Sequence, residues 1–416
     1  MINEQRIIER IDAIYKCGEK EDGTHSRIAF SKEDVAGREL FAKWLKELGI
    51  DCYFDPAGNM IGRLEGTEAG LPPIMIGSHL DTVPDGGKYD GVFGCIGGLE
   101  IAEALLEDGI TLRHPLEIIV FADEEGIAFG KGLSGSNALS GLPLEGFQKE
   151  DVNGEGIKRV DAMKVYGVDF DHMADAARET DEVACFLEMH IEQGMALDKA
   201  KKQIGIVSAI AGVSRFMITV HGETNHSGST LMPDRKDALV GAADFIRQVP
   251  LVVREYGSEY AVGTVGRIEA VPGSMNVIPG QVTFSLEIRE QSDPSRLLIE
   301  RNLFECLTDI CQNNRLSFSF SKVATYPCAP MNQAIMDIFE SICEEGKFPA
   351  QIMPSGAFHD AMFMTRSFPT GMLFVPSKGG ISHSPMEFTS SEDLKTGCEV
   401  LYRSVCEIDR RLNDSF

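Results

Sequence analysis

Apolar positions along the chain fall into two alternating textures. Near the N-terminus, Ile7, Ile8, Ile11 and Ile14 recur at helical spacing among charged residues, which predicts an amphipathic helix. Residues 73–77 (PIMIG), 116–122 (LEIIVFA) and 186–189 (FLEM) are short continuous apolar runs. Such runs read as buried strands, and a Gly-rich, then helical stretch at 91–106 separates the first two. Strands alternating with helices predict an α/β sheet with helices on both faces. From about residue 212 the period changes. Strands are expected at 214–221, 263–270, 281–289 and 316–323, and helices at 236–248 and 295–313. The order β-α-β-β-α-β is the ferredoxin-like pattern, here as an inserted second domain. Helix and strand then return: a helix at 333–346, a buried strand at 371–375 and a terminal helix at 391–413. The expected division is 1–211 with 328–416 as one domain and 212–327 as the other, a length of chain comfortable for two domains.

Charge narrows the function classes. The 416 residues carry 39 basic and 64 acidic side chains, a formal net charge of −25. A surface that acidic repels phosphate backbones and anionic lipid, which argues against nucleic-acid and membrane partners. It also means that a small anionic substrate requires metals or a placed arginine to enter. None of the ten cysteines stands in a C-x-x-C pair, which predicts reduced, mostly buried thiols. The N-terminal segment lacks the apolar centre of a signal peptide, and no apolar run reaches the roughly 18 residues of a membrane span. The expected location is the cytoplasm.

The chemistry sits where the strands end. His79 follows the first apolar run, Glu124 and Glu125 follow the second, and His190 follows the third. In open α/β sheets, ligands gather at the carboxyl ends of strands, so these side chains are expected at one crevice. Asp90 lies in the turn Lys88-Tyr89-Asp90-Gly91, and His383 in a late glycine-rich loop. Imidazoles and carboxylates in this number suit two divalent ions of the zinc type, with one carboxylate bridging them. Asp81, two residues beyond His79, is within reach of the far imidazole nitrogen and would orient it. Of the Glu124-Glu125 pair, one carboxylate would bind metal and the other would take a proton from water. Singly, each of these residues is ordinary. A histidine after a strand is more often structural, and Glu-Glu is usually a solvated face. Their order along the chain is what points to a metal site.

The strings GSHLDTVPDGGKYDGVFG (77–94), DEEGIAFGKGLSGS (123–136), EMHIEQG (188–194), HGETNHSGST (221–230), PGSMNVIPG (272–280), PSGAFHDAMF (354–363) and FVPSKGGISHSPME (374–387) closely resemble the hydantoinase/carbamoylase amidases. The resemblance spans nearly the whole chain. It implies a metallopeptidase-like catalytic domain and a smaller domain that serves as a lid and for dimerisation. It places His79 and His383 on opposite metals, Asp90 between them, and Glu125 and His190 completing the two sites. Glu124 would be the base and Asp81 the residue that orients His79. Gln193, His226, Asn276, Arg289 and Gly356 match substrate-contacting positions, and His226 would stabilise the oxyanion.

Residues and resemblance together predict a homodimeric amidohydrolase with two zinc or manganese ions per chain, cobalt and nickel being alternatives. Its substrate would be a small ureido acid, an N-carbamoyl-L-amino acid first and allantoate or ureidoglycolate second. An aminoacylase or dipeptidase, or a non-catalytic binding protein on the same fold, are the rivals. The chain departs from its relatives at Ile127-Ala128, where many have a small residue and then arginine, and at Phe358, where many have glycine.

Overall fold

The computed structural model describes residues 1–20 and 22–412. The chain divides into two compact units, Met1–Ser208 with the chain from Met331 onward, and Ala209–Pro330. It is a two-domain α/β architecture.

In the first unit, four strands run parallel in the order Leu116–Phe121, Ile74–His79, Cys185–Ile191, Thr370–Val375. Met60–Leu64 and then Cys52–Phe54 extend one side antiparallel, and Ile204–Ile210 extends the other. All four parallel strands are buried along their whole length, as expected for strands covered on both faces. The helix Val92–Glu107 is buried on nearly every side. The N-terminal helix Glu4–Lys16 buries Ile7, Ile11 and Ile14 and leaves Ile8 half-buried. Arg6 ties it to the buried Glu100 through Nε and Nη2 at 2.6 and 2.8 Å. The terminal helix is Ser391–Arg411, capped by the Ser390 hydroxyl on the Asp393 N–H. Asn413, expected as its last residue, lies outside the described residues.

In the second unit, strands pair antiparallel in the order Ile268–Val271, Gln281–Glu290, Gly212–His221, Ser317–Tyr326. Val282, Phe284, Leu286 and Ile288 alternate inward and pack with Phe245, Val249 and Val253 of the helix Ala238–Tyr256 and with Leu303 and Leu307 of the helix Asp293–Asn313. Two expectations are corrected here. The helix expected at 236–248 continues through Pro250 to Tyr256, because Pro250 lies on the exposed face while Val249 and Val253 stay in the core. The strand expected at 263–270 is two, Val262–Thr264 and Ile268–Val271. Between them the Ser285 hydroxyl accepts the N–H groups of Gly266 and Arg267, replacing ladder partners.

All ten cysteines are free. Among the described residues no helix is long and apolar enough to cross a membrane.

Candidate metal centre

The carboxyl ends of the parallel strands converge on Asp90. His79 is the last residue of its strand, and its Nδ1 lies 2.9 Å from the backbone carbonyl of Asp81. His190 makes the same contact with the carbonyl of Ile191, also at 2.9 Å. A carbonyl only accepts, so both rings carry a proton on Nδ1 and turn Nε2 toward the cluster. His190 Nε2 lies 3.2 Å and His79 Nε2 lies 3.6 Å from Asp90 Oδ1. The other oxygen of Asp90 faces His383, with Oδ2 to Nε2 at 3.3 Å. Glu124 stands 3.7 Å from His79 Nε2, and Glu125 stands 3.8 Å from His383 Nε2.

Ligand atoms lie within 4.8 Å of one another inside each of three groups: His79-Asp90-His190, His79-Glu124-Glu125 and Asp90-Glu125-His383. Imidazole nitrogens and carboxylate oxygens are the donors divalent cations of the zinc and manganese type prefer. The set fits a binuclear site in which Asp90 is shared.

Local backbone explains how these side chains reach one point. Gly91, at φ 66°, follows Asp90, and a Cβ there would lie 2.4 Å from the His79 ring. Its N–H points at His190 Nε2 from 3.0 Å. Asp123, Gln193 and His383 adopt left-handed φ of 53°, 56° and 53°. Non-glycine residues rarely do so, at roughly 1–3 kcal/mol each, and they cluster at functional sites.

Asp81 differs from its expected role. Its main-chain carbonyl, not its carboxylate, orients His79, while its Oδ1 stays 3.8 Å from Nδ1. The carboxylate instead accepts the N–H groups of Glu124 and Glu125 at 3.3 and 3.1 Å and so fixes their turn.

Electrostatics reflect the crowding. Burial pushes Glu124 and Glu125 well above the usual carboxylate range, and each is raised further by neighbouring acids. Burial opposes ionisation of Asp90 too, but His190, His383 and His79 together hold it well below its ordinary value. Burial likewise works against charge on His190, yet Asp90 draws its pKa up to about 9. The Gly91 N–H aimed at the same nitrogen favours the bare imidazole.

Of the residues expected to meet substrate, Gln193 and Gly356 belong to the first unit. Gln193 Nε2 donates to Asp90 Oδ2 at 2.6 Å, and its buried Oε1 has no hydrogen-bond partner among the described residues. Gly356 follows the strand Ala350–Ser355 and is exposed, and a Cβ there would meet nothing within 4 Å. Packing inside the protein therefore does not demand glycine at that position.

His226, Asn276 and Arg289 belong to the second unit. His226 and Asn276 flank a two-strand ribbon, with Asn225–His226 paired to Val277–Ile278 and the Ser227 N–H on the Asn276 carbonyl. His226 Nδ1 accepts the N–H groups of Gly228 and Ser229 at 3.0 and 3.2 Å. Its proton therefore sits on Nε2, which is turned out as a donor. Arg289 lies on the strand Gln281–Glu290, with Nε on Glu287 at 2.8 Å.

Three residues near the centre carry no signal of their role in the sequence. Glu387 accepts the N–H groups of Tyr89 and Asp90. His359, buried and held well below its ordinary pKa by that burial, packs edge-on against His190 with ring centroids 4.5 Å apart and reaches Ser355 Oγ at 3.0 Å. Arg159, fully buried, pairs with Asp123 at 3.0 Å and lies over Phe129, beside the divergent Ile127-Ala128. Glu387 and His359 stand within motif strings, but partners so distant in sequence leave no mark in it.

Comparison with known proteins adds to this geometry. The model of a family described as Peptidase family M20/M25/M40 matches residues 75–407. The chain is 38% identical over 407 residues to the N-carbamoyl-L-amino-acid amidohydrolase of Pseudomonas sp. (strain NS671), covering 97% of this chain and 98% of that one. It is 34% identical over 396 residues to the allantoate amidohydrolase of Bacillus subtilis (strain 168), covering 95% of each. Among solved structures, an amidase of the hydantoinase/carbamoylase family from Burkholderia multivorans superposes with a TM-score of 0.90 at 30% identity, covering 98% of each chain.

Proposed function

Because the chain belongs to the M20/M25/M40 peptidase family, and within it to the hydantoinase/carbamoylase amidases, we propose that this metal-dependent hydrolase cleaves a linear C–N bond of an N-carbamoyl-L-amino acid. The observation that carries the reading is the Asp90 carboxylate shared between two ligand groups, with Glu124 beside them. His79 and His190 would hold one ion, Glu125 and His383 the other, and Asp90 both. Two divalent ions, zinc or manganese with cobalt or nickel as alternatives, supply polarisation of the ureido carbonyl and acidification of water when bound.

The side chains do the rest. Glu124 takes a proton from the attacking water, whose oxygen bonds to the carbamoyl carbon. It then passes that proton to the leaving nitrogen as the C–N bond breaks. Burial raises its proton affinity, which suits a group that must hold a proton between two steps. Asp81 keeps Glu124 in place through its backbone N–H. His226 Nε2–H donates to the developing oxyanion, and Arg289 binds the substrate carboxylate. Gln193, Asn276 and Gly356 contribute further substrate contacts. In this reading 1–211 with 328–416 is the catalytic domain. Residues 212–327, with their ferredoxin-like order, form a lid and the surface of a homodimer. The acidic net charge of −25 speaks against nucleic-acid and membrane partners.

Allantoate is the second reading, favoured by the 34% identical relative of that name and by its carboxylate, which Arg289 would also hold. A panel of N-carbamoyl-L-amino acids, allantoate, ureidoglycolate and N-acetyl amino acids, assayed with added zinc or manganese, tests the choice. Fastest turnover of an N-carbamoyl-L-amino acid is expected. Preference for allantoate would favour the second reading, and turnover of N-acetyl amino acids alone would overturn both.

A further inference from the structure

We propose that Glu387 is a positioning residue that clamps the Asp90 turn to the His383 loop and thereby sets the metal-binding geometry; the inference rests on the binuclear metal site proposed for this chain. Asp90 projects from a turn rather than from a strand, so neighbouring strands do not fix its backbone through a ladder. Glu387 supplies that fixation. One of its oxygens, Oε1, accepts the N–H of Tyr89 at 2.7 Å and the N–H of Asp90 at 3.1 Å. The other, Oε2, lies 2.8 Å from the Ser382 hydroxyl, which also lies 2.9 Å from Asp90 Oδ2. Glu387 therefore holds the backbone of Asp90 directly, and the Ser382 hydroxyl, whose one proton serves one of the two carboxylates, packs between Glu387 Oε2 and Asp90 Oδ2.

Glu387 and Ser382 bracket His383 in a single loop. The clamp thus joins two ligand-bearing loops, with Asp90 and Glu387 separated by 297 positions in the sequence. The approach is close: a Cβ on Gly87 would fall 2.1 Å from the Glu387 carboxyl carbon, so the chain leading to Asp90 passes directly over it. Glu387 is not itself placed as a ligand. Its Oε1 is taken by two backbone N–H groups and its Oε2 faces the Ser382 hydroxyl, and among the described residues no group of mutually close metal-ligating atoms includes it. Buried at 5% exposure, it leaves unpaired N–H groups behind if removed, and the turn is then free to rearrange.

The test uses the full-length chain, loaded with zinc, in competition with a chromogenic chelator. Groups that orient metal ligands typically change affinity by about 10–100-fold when lost. Glu387→Ala is expected to weaken zinc binding about 10–100-fold, with activity regained at high zinc. Glu387→Gln keeps the Oε1 acceptor and is expected to recover most of the affinity. A merely structural role would lower the melting temperature of the metal-free protein and leave its zinc affinity unchanged, and that result overturns the proposal. Where Glu387→Ala fails to fold, Ser382→Ala decides: weaker zinc binding at unchanged metal-free melting temperature supports the clamp, and unchanged affinity overturns it. The wild type separates the two levels of inference. Two ions in the wild type with equal affinity in both variants sinks only the clamp, whereas a wild type that takes up no ion sinks the metal reading and the clamp with it.

Discussion

Asp90 and His383 meet at 3.3 Å, Oδ2 to Nε2, while the opposite oxygen of Asp90 faces His190 at 3.2 Å. One carboxylate thus serves both ligand groups, and His383 serves one. Removing them should have unequal consequences. Asp90→Ala is expected to lose both ions, and His383→Ala to keep one. Metal counts per chain by elemental analysis check this, and equal losses in the two variants would contradict a shared Asp90.

Metal uptake should depend on pH through His190. Its pKa stands at about 9 in the metal-free protein, with burial opposed by Asp90. An imidazole binds metal only when neutral, so at pH 7 the ion must displace its proton. Affinity should therefore rise with pH between 7 and 9, by up to about tenfold per unit from this group, and flatten above. Calorimetric titrations in buffers of differing ionisation enthalpy would show proton release at pH 7. Binding without proton release would mean that the Gly91 N–H, rather than Asp90, sets the protonation of His190.

His226 presents Nε2–H because Nδ1 already accepts two backbone donors. Loss of an oxyanion donor costs about 10²–10³ in kcat. His226→Ala should fall by that amount while keeping its metals and a nearly unchanged KM. A variant that loses metal instead would place His226 among the ligands.

Arg289 tests the carboxylate of the substrate. Lysine retains the charge but not the two-pronged fork. Arg289→Lys should raise KM about tenfold or more for an N-carbamoyl amino acid and leave the KM of its carboxamide analogue nearly unchanged. Equal effects on both would mean that Arg289 acts through the fold.

Much of the fold and of the site is legible in the sequence, and the physical reasons differ by element. The parallel strands are visible because full burial makes them predominantly apolar, and chemistry at their carboxyl ends follows from sheet geometry. The antiparallel strands Cys52–Phe54 and Met60–Leu64 are not, because one has only three residues and the other, interrupted by Gly62 and Arg63, shows no period. The helix across Pro250 exceeds its expected end because core packing outweighs one missing N–H on an exposed face. At the site, residue types and their order point to the cluster of His79, Asp90, Glu124, Glu125, His190 and His383 that the fold brings together. Pairings do not show: the Asp81 carboxylate on a turn, Glu387 on Asp90 and His359 against His190 are long-range contacts that no local spacing encodes.

The most direct test of the whole scheme is Glu124→Gln, measured for both metal content and turnover of an N-carbamoyl-L-amino acid. The substitution keeps the shape of a side chain 3.7 Å from His79 and removes its ability to take a proton. General base catalysis is worth about 10²–10⁴-fold. The variant should hold two ions per chain, the number expected of the wild type, and turn over at least about 100-fold more slowly. Near-normal turnover with both metals in place would contradict Glu124 as the base.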